Sequence, residues 1–125
     1  MNNAYEIDIE IETSYMAEHS EPDEDRYVFA YTITLVNRGS VAAKLLSRRW
    51  IITDSDNRTE EVEGEGVVGE QPTLKPGEGF RYTSGAVIET PVGTMHGSYK
   101  MLAEDGETFD TDNPEFVLSA PRVLH

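Results

Sequence analysis

The chain has 125 residues, 24 acidic against 10 basic for a formal net charge of -14, and no cysteine. That length suits one domain, and the lack of thiols excludes disulfides and thiolate metal sites. The charge repels phosphate backbones and anionic lipid surfaces, so neither nucleic acid nor membrane is an expected partner.

The first residues carry no basic segment and no apolar run, so no signal peptide is expected. Nor does any stretch approach the roughly 20 apolar residues of a membrane helix. A soluble cytoplasmic protein is the expectation. Tyr5, Ile7, Ile9 and Ile11 then alternate with Glu6, Asp8, Glu10 and Glu12, the period of a strand with one wet face. A charged, proline-broken loop follows at 18–25. Residues 26–36 predict a stronger strand, with Tyr27, Phe29, Tyr31, Ile33 and Leu35 on one face, ending in the turn residues Asn37 to Ser40.

Residues 41–53 read as a third strand, holding Arg48, Arg49 and the sole tryptophan, Trp50, which is expected in the core. The turn Asp54-Ser55-Asp56-Asn57 leads into an extended piece from Thr59. The stretch 64–79 is glycine-rich and the least regular. Further strands are predicted at 80–88 and 94–102, joined through Pro91-Val92-Gly93. Asp105-Gly106 signals a hairpin into a short piece near Phe109, and a separate last strand is expected at 115–118. About seven short strands without helical periodicity predict one all-β domain, a sandwich of two antiparallel sheets.

Gly64-Glu65-Gly66-Val67-Val68-Gly69 matches the G-x-G-x-x-G pattern of dinucleotide sites. That chemistry needs a helix opening within the motif, so that its N-terminus meets the phosphate. Here Pro72 and Pro76 follow, and Glu63, Glu65 and Glu70 would repel an anion. The favoured reading is a structural connection, with Gly64, Gly66 and Gly69 kept as weak phosphate-loop candidates.

His19, His96 and His125 have no metal-ligand spacing, and the turn from Asp54 departs from a calcium loop at Arg58 and Thr59. The acidic loop 18–25 is read first as a solvated face, with divalent-cation binding by the acidic loops kept as an alternative; no metal ligand is assigned and no cofactor is expected. Ser84 lies outside any nucleophile elbow, and pairing it with His96 rests on geometry the sequence does not give. No catalytic residue is assigned and no enzyme is expected. Arg48 and Arg49 are notable in so acidic a chain; neutralising neighbouring carboxylates is the favoured reading, and an anion or partner contact is the other. Phe80, Tyr82, Tyr99, Met95 and Met101 are divided between core and surface.

Several segments together resemble the ApaG family, also called CorD. They are 26–34, Trp50-Ile51-Ile52-Thr53-Asp54, 62–72, Tyr82-Thr83-Ser84-Gly85, 90–101 and the terminal Leu124-His125. The resemblance covers nearly the whole chain in order. It implies an immunoglobulin-type, fibronectin type III-like sandwich, a role as a protein-interaction module, and an association with cobalt resistance and magnesium efflux. It also brings the glycine motif forward as a nucleotide or pyrophosphate site. The chain departs from the family at Arg49, where many members carry histidine or tyrosine. It departs again at Asp112-Asn113, which is expected to loosen the approach to the last strand. The resulting expectation is a non-catalytic binding module with an unidentified protein partner. An unpaired sheet edge leaves a homodimer open.

Overall fold

The computed structural model describes residues 4–121. Leu124 and His125, which carry part of the resemblance and one of the three histidines, lie outside the described residues. The strands are β1 (Ile7–Tyr15), β2 (Tyr27–Asn37), β3 (Ala43–Asp54), β4 (Thr59–Glu65), β5 (Thr73–Leu74), β6 (Gly79–Ile88), β7 (Val92–Ala103) and β8 (Thr108–Ser119). They form two antiparallel sheets, one ordered β1-β2-β6 and the other β4-β3-β7-β8, with β5 pairing the start of β3. This is the sandwich expected from the strand pattern. The loop 18–25 adds two short 3-10 turns, Ala17–His19 and Pro22–Glu24. Among the described residues no helix is long and apolar enough to cross a membrane.

The alternation in β1 and β2 decides which residues fill the space between the sheets. Ile7, Ile9 and Ile11 are half-buried while Asp8, Glu10 and Glu12 face water. Phe29, Tyr31, Ile33 and Leu35 are buried on β2. The second sheet answers with Trp50 and Ile52 on β3 and Met95, Tyr99 and Met101 on β7. Of the set expected to divide between core and surface, both methionines and both tyrosines are core, and Phe80 is half-buried against that core. Asn37 closes the β2–β3 turn from inside. Its Nδ2 donates to the carbonyls of Val41 (2.9 Å) and Leu74 (2.8 Å), and its Oδ1 accepts the Gly39 N–H. A buried amide with all these partners costs little and fixes the turn.

One boundary differs from expectation. The pieces near Phe109 and at 115–118 are a single strand, β8, which runs through Pro114. Proline cannot donate to a ladder, so a strand carries it only at an edge or a bulge. Here it has both, because β8 is the end of its sheet and the β7–β8 register shifts between Met95 and Gly97. Asn113, expected at a loose approach, is buried within this strand.

The hydroxyls of Tyr82 and Tyr99 meet between the sheets at 2.5 Å. Burial raises both phenol pKa values, and for Tyr99 the neighbouring Tyr82 raises it further. A group whose folded pKa is raised adds stability that is fully present below its unfolded pKa and is lost as pH climbs through the folded value. Unfolding free energy should therefore fall once pH passes about 10, the ordinary phenol value. Urea melts at pH 9 and pH 11 check this. The Tyr82→Phe/Tyr99→Phe variant should show a flatter dependence over the same interval.

Candidate functional site

Residues directly opposite one another in an antiparallel pair share a face, so the registers define the outer surface of the larger sheet. Arg49 stands between Glu63 on β4 and Ser98 on β7, and Ser98 is followed by Asp112 on β8. The next row runs Glu65, Ser47, Lys100, Asp110. Cations therefore occupy the two central strands and carboxylates the two edges. Arg49 Nε donates to Glu61 Oε1 at 2.8 Å and lies 3.5 Å from Glu63. The Glu61 hydrogen bond holds the Arg49 guanidinium more firmly protonated, and the same bond lowers the Glu61 carboxyl. The serines are short, so a shallow depression of about 500 Å³ opens between the charged side chains.

That depression brings together three residues singled out by sequence, Arg48, Arg49 and Gly64. It adds Lys100, Ser47 and Ser98, which sequence reasoning missed. Their alternation was visible, but their company depends on the β3–β7 register. The two arginines do different work. Arg49 is exposed on the outer face, whereas Arg48 lies opposite the buried Tyr99. Arg48 Nη1 donates to the carbonyls of Glu65 (3.1 Å) and Gly66 (2.9 Å). Its guanidinium lies over Gly64, where a Cβ would come within 2.7 Å of Nη1.

The glycine motif forms the end of β4 and a tight hairpin. Val67 and Glu70 exchange both backbone hydrogen bonds at 2.8 and 2.9 Å. Between them Val68 and Gly69 have φ of 44° and 81°, the positive pair that a two-residue type I′ turn requires. Gly66 also has positive φ, and its N–H donates to the Leu46 carbonyl. Val67 is buried in the core. The N–H groups of Gly66, Val67 and Glu70 are thus engaged by the chain itself. The chain then runs through Pro72 into β5, and no helix opens on the motif.

Other candidates lie apart. Ser84 is on β6 opposite Tyr31, while His96 is exposed on β7 opposite Ile51 in the other sheet. They are not neighbours across a pair of strands. His19 is exposed in a 3-10 turn. Among the described residues no three His, Asp or Glu side chains gather as a metal-holding group. The turn from Asp54 is organised by Arg58. Burial would push the Asp54 carboxyl up. The N–H groups of Arg58 and Asp56, with the Arg58 guanidinium at 2.7 Å, outweigh that and hold it below its ordinary value.

The family model described as the ApaG domain matches residues 17–103. The chain belongs to the ApaG domain family. Protein ApaG of Thiobacillus denitrificans is 62% identical over 121 residues, covering 97% of this chain and 95% of that protein. Protein ApaG of an Azoarcus species is 57% identical over 124 residues, covering 99% and 98%. A crystal structure of the ApaA protein from Bordetella pertussis superposes with a TM-score of 0.94 at 46% identity, covering 98% of this chain and all of that one. The ApaG resemblance drawn from the segments is therefore membership, and the sandwich is shared with a solved structure.

Proposed function

We propose that this ApaG domain is a non-catalytic protein-binding module, and that the outer face around Arg49 and Lys100 contacts the partner. The observation that carries the reading is the charge pattern: cations on the central strands, carboxylates on both flanks, in a chain of net charge -14. Alternating charge on a flat face rewards a partner of matching pattern and penalises others. Arginine is also favoured over lysine at such contacts. A depression floored by serines is shallow, which suits a protein surface better than an enclosed small molecule. The association with cobalt resistance and magnesium efflux then runs through the partner.

Arg49 is exposed and Lys100 projects from the same face, so charge reversal there spares the core. The Arg49→Glu/Lys100→Glu variant should stay folded, with a melting point lowered by the carboxylates it sets against Glu61, Glu63 and Asp110, and lose saturable partner capture from extract by at least about tenfold. Equal capture by both proteins counts against the proposed face. The phosphate reading is separated by titration with ATP and pyrophosphate. With the motif acting as a structural hairpin, the amide signals of Gly64, Gly66 and Gly69 stay in place.

A further inference from the structure

The two sheets have four edges: β1, β6, β8, and β4 together with the two-residue β5. An open edge presents free N–H and C=O groups to any extended chain, and proteins guard it with charge, proline or short length. Three edges are guarded. β1 carries Asp8, Glu10 and Glu12; β4 carries Glu60, Glu61, Glu63 and Glu65; β8 carries Asp110, Asp112, Glu115 and Pro114. β6 is different. Its ten residues hold no carboxylate and no proline, and its one charge, Arg81, is turned to Glu12 across the sheet at 3.2 Å. Among the described residues, β2 alone takes backbone hydrogen bonds from this strand. Gly85 is not required by packing. A Cβ there would meet only the Phe29 carbonyl oxygen, at an ordinary 3.6 Å.

A hollow of about 260 Å³ lies beside the far end of β6, lined by Val87, Ile88 and Glu89 with Ile52, Asp54, Arg58 and Glu60. Glu60 pairs opposite Ile52 and so stands on the inner side of its sheet, toward β6. Arg58 is committed to Asp54 at 2.7 Å, to Asp56 at 3.0 Å and to Glu89 at 2.6 Å. Glu60 has no cation partner among the described residues. The hollow is therefore lined by three carboxylates, Asp54, Glu60 and Glu89, and one guanidinium, and it lies next to an unguarded edge.

We infer that β6 accepts an extended, cationic segment of a partner protein as an added strand, with a lysine or arginine of that segment reaching Glu60. Backbone pairing supplies affinity and the hollow supplies selectivity, the usual division in strand addition. A second copy is the poorer occupant, since it brings its own net charge of -14 to the contact. The inference rests on protein binding as the function. It does not rest on the Arg49 face, which belongs to the other sheet.

The test uses the full chain and two synthetic ten-residue probes with blocked ends, one alternating lysine with valine and threonine, the other glutamate in place of lysine. The lysine probe should shift the amides of β6 and slow hydrogen exchange at every second residue of that strand at least tenfold, because alternate N–H groups point outward. The glutamate probe should do neither. Glu60→Gln, at an exposed position, should weaken the lysine probe by up to about fivefold with the fold intact. Shifts spread over the carboxylates of β1, β4 and β8 without protection of β6 overturn the inference. So do shifts centred on Arg49 and Lys100, although those leave the proposed function standing. Concentration-dependent protection of β6 without any probe assigns the edge to a second copy and overturns it as well.

Discussion

Replacing Trp50 with alanine is expected to lower the unfolding free energy by about 3–5 kcal/mol. The ring is 1% exposed and joins the two sheets. It meets Tyr31 of β2 edge-on at 5.6 Å, Tyr99 of β7 at 6.1 Å and Phe116 of β8 at 5.7 Å. These are favourable aromatic geometries, each adding to the area buried. Gly97 makes room for the ring across the sheet, since a Cβ there would lie 3.0 Å from Trp50 Cε3 and overlap the Arg49 carbonyl oxygen. The cavity left by alanine therefore has rigid walls on both sides and cannot collapse cheaply. A domain with about 5–15 kcal/mol of stability loses a large part of it. Chemical denaturation checks the prediction as a lowered midpoint, and Trp50→Phe should lose less.

Gly66→Ala should cost clearly more than Gly69→Ala, about 2–4 kcal/mol against about 1–2. Both glycines have positive φ, 62° and 81°, so both substitutions strain the backbone. A Cβ at Gly69 meets nothing within 4 Å, whereas one at Gly66 overlaps the Glu70 carbonyl oxygen and lies 2.9 Å from its carbon. Relieving that clash opens the Val67–Glu70 bridge and draws Val67 from the core. Paired thermal and urea melts measure the difference. Equal losses would show that the hairpin does not hold Val67 in the way described. The comparison also gives the motif its physical meaning. Its glycines answer to a turn and to the Arg48 guanidinium lying over Gly64.

Much of the fold was legible because β1 and β2 alternate without interruption, and because Asp105-Gly106 marks a turn of known geometry. Gly106 does have positive φ there, 92°. The continuity of β8 through Pro114 was not legible, since a proline inside a strand needs an edge or a bulge and no local pattern announces either. Trp50 was legible as core from its type. The Tyr82–Tyr99 pair was not, because the two residues lie on different sheets and meet only through the packing. The site was half legible. Arg48 and Arg49 stood out by charge, but adjacent residues on a strand point to opposite faces. Only the register shows that Arg49 faces Glu63 and Ser98 while Arg48 turns to the hairpin. Lys100 joined them through pairing with Ser47, a relation with no trace in its own neighbourhood.

The most direct test of the proposed binding face is an amide shift map of the full chain saturated with a captured partner. Shifts are expected at Ser47, Arg49, Ser98 and Lys100, lost together in the Arg49→Glu/Lys100→Glu variant. Those four amides unmoved at saturation, with binding equal in the variant, would contradict a partner contact on the outer face of the larger sheet.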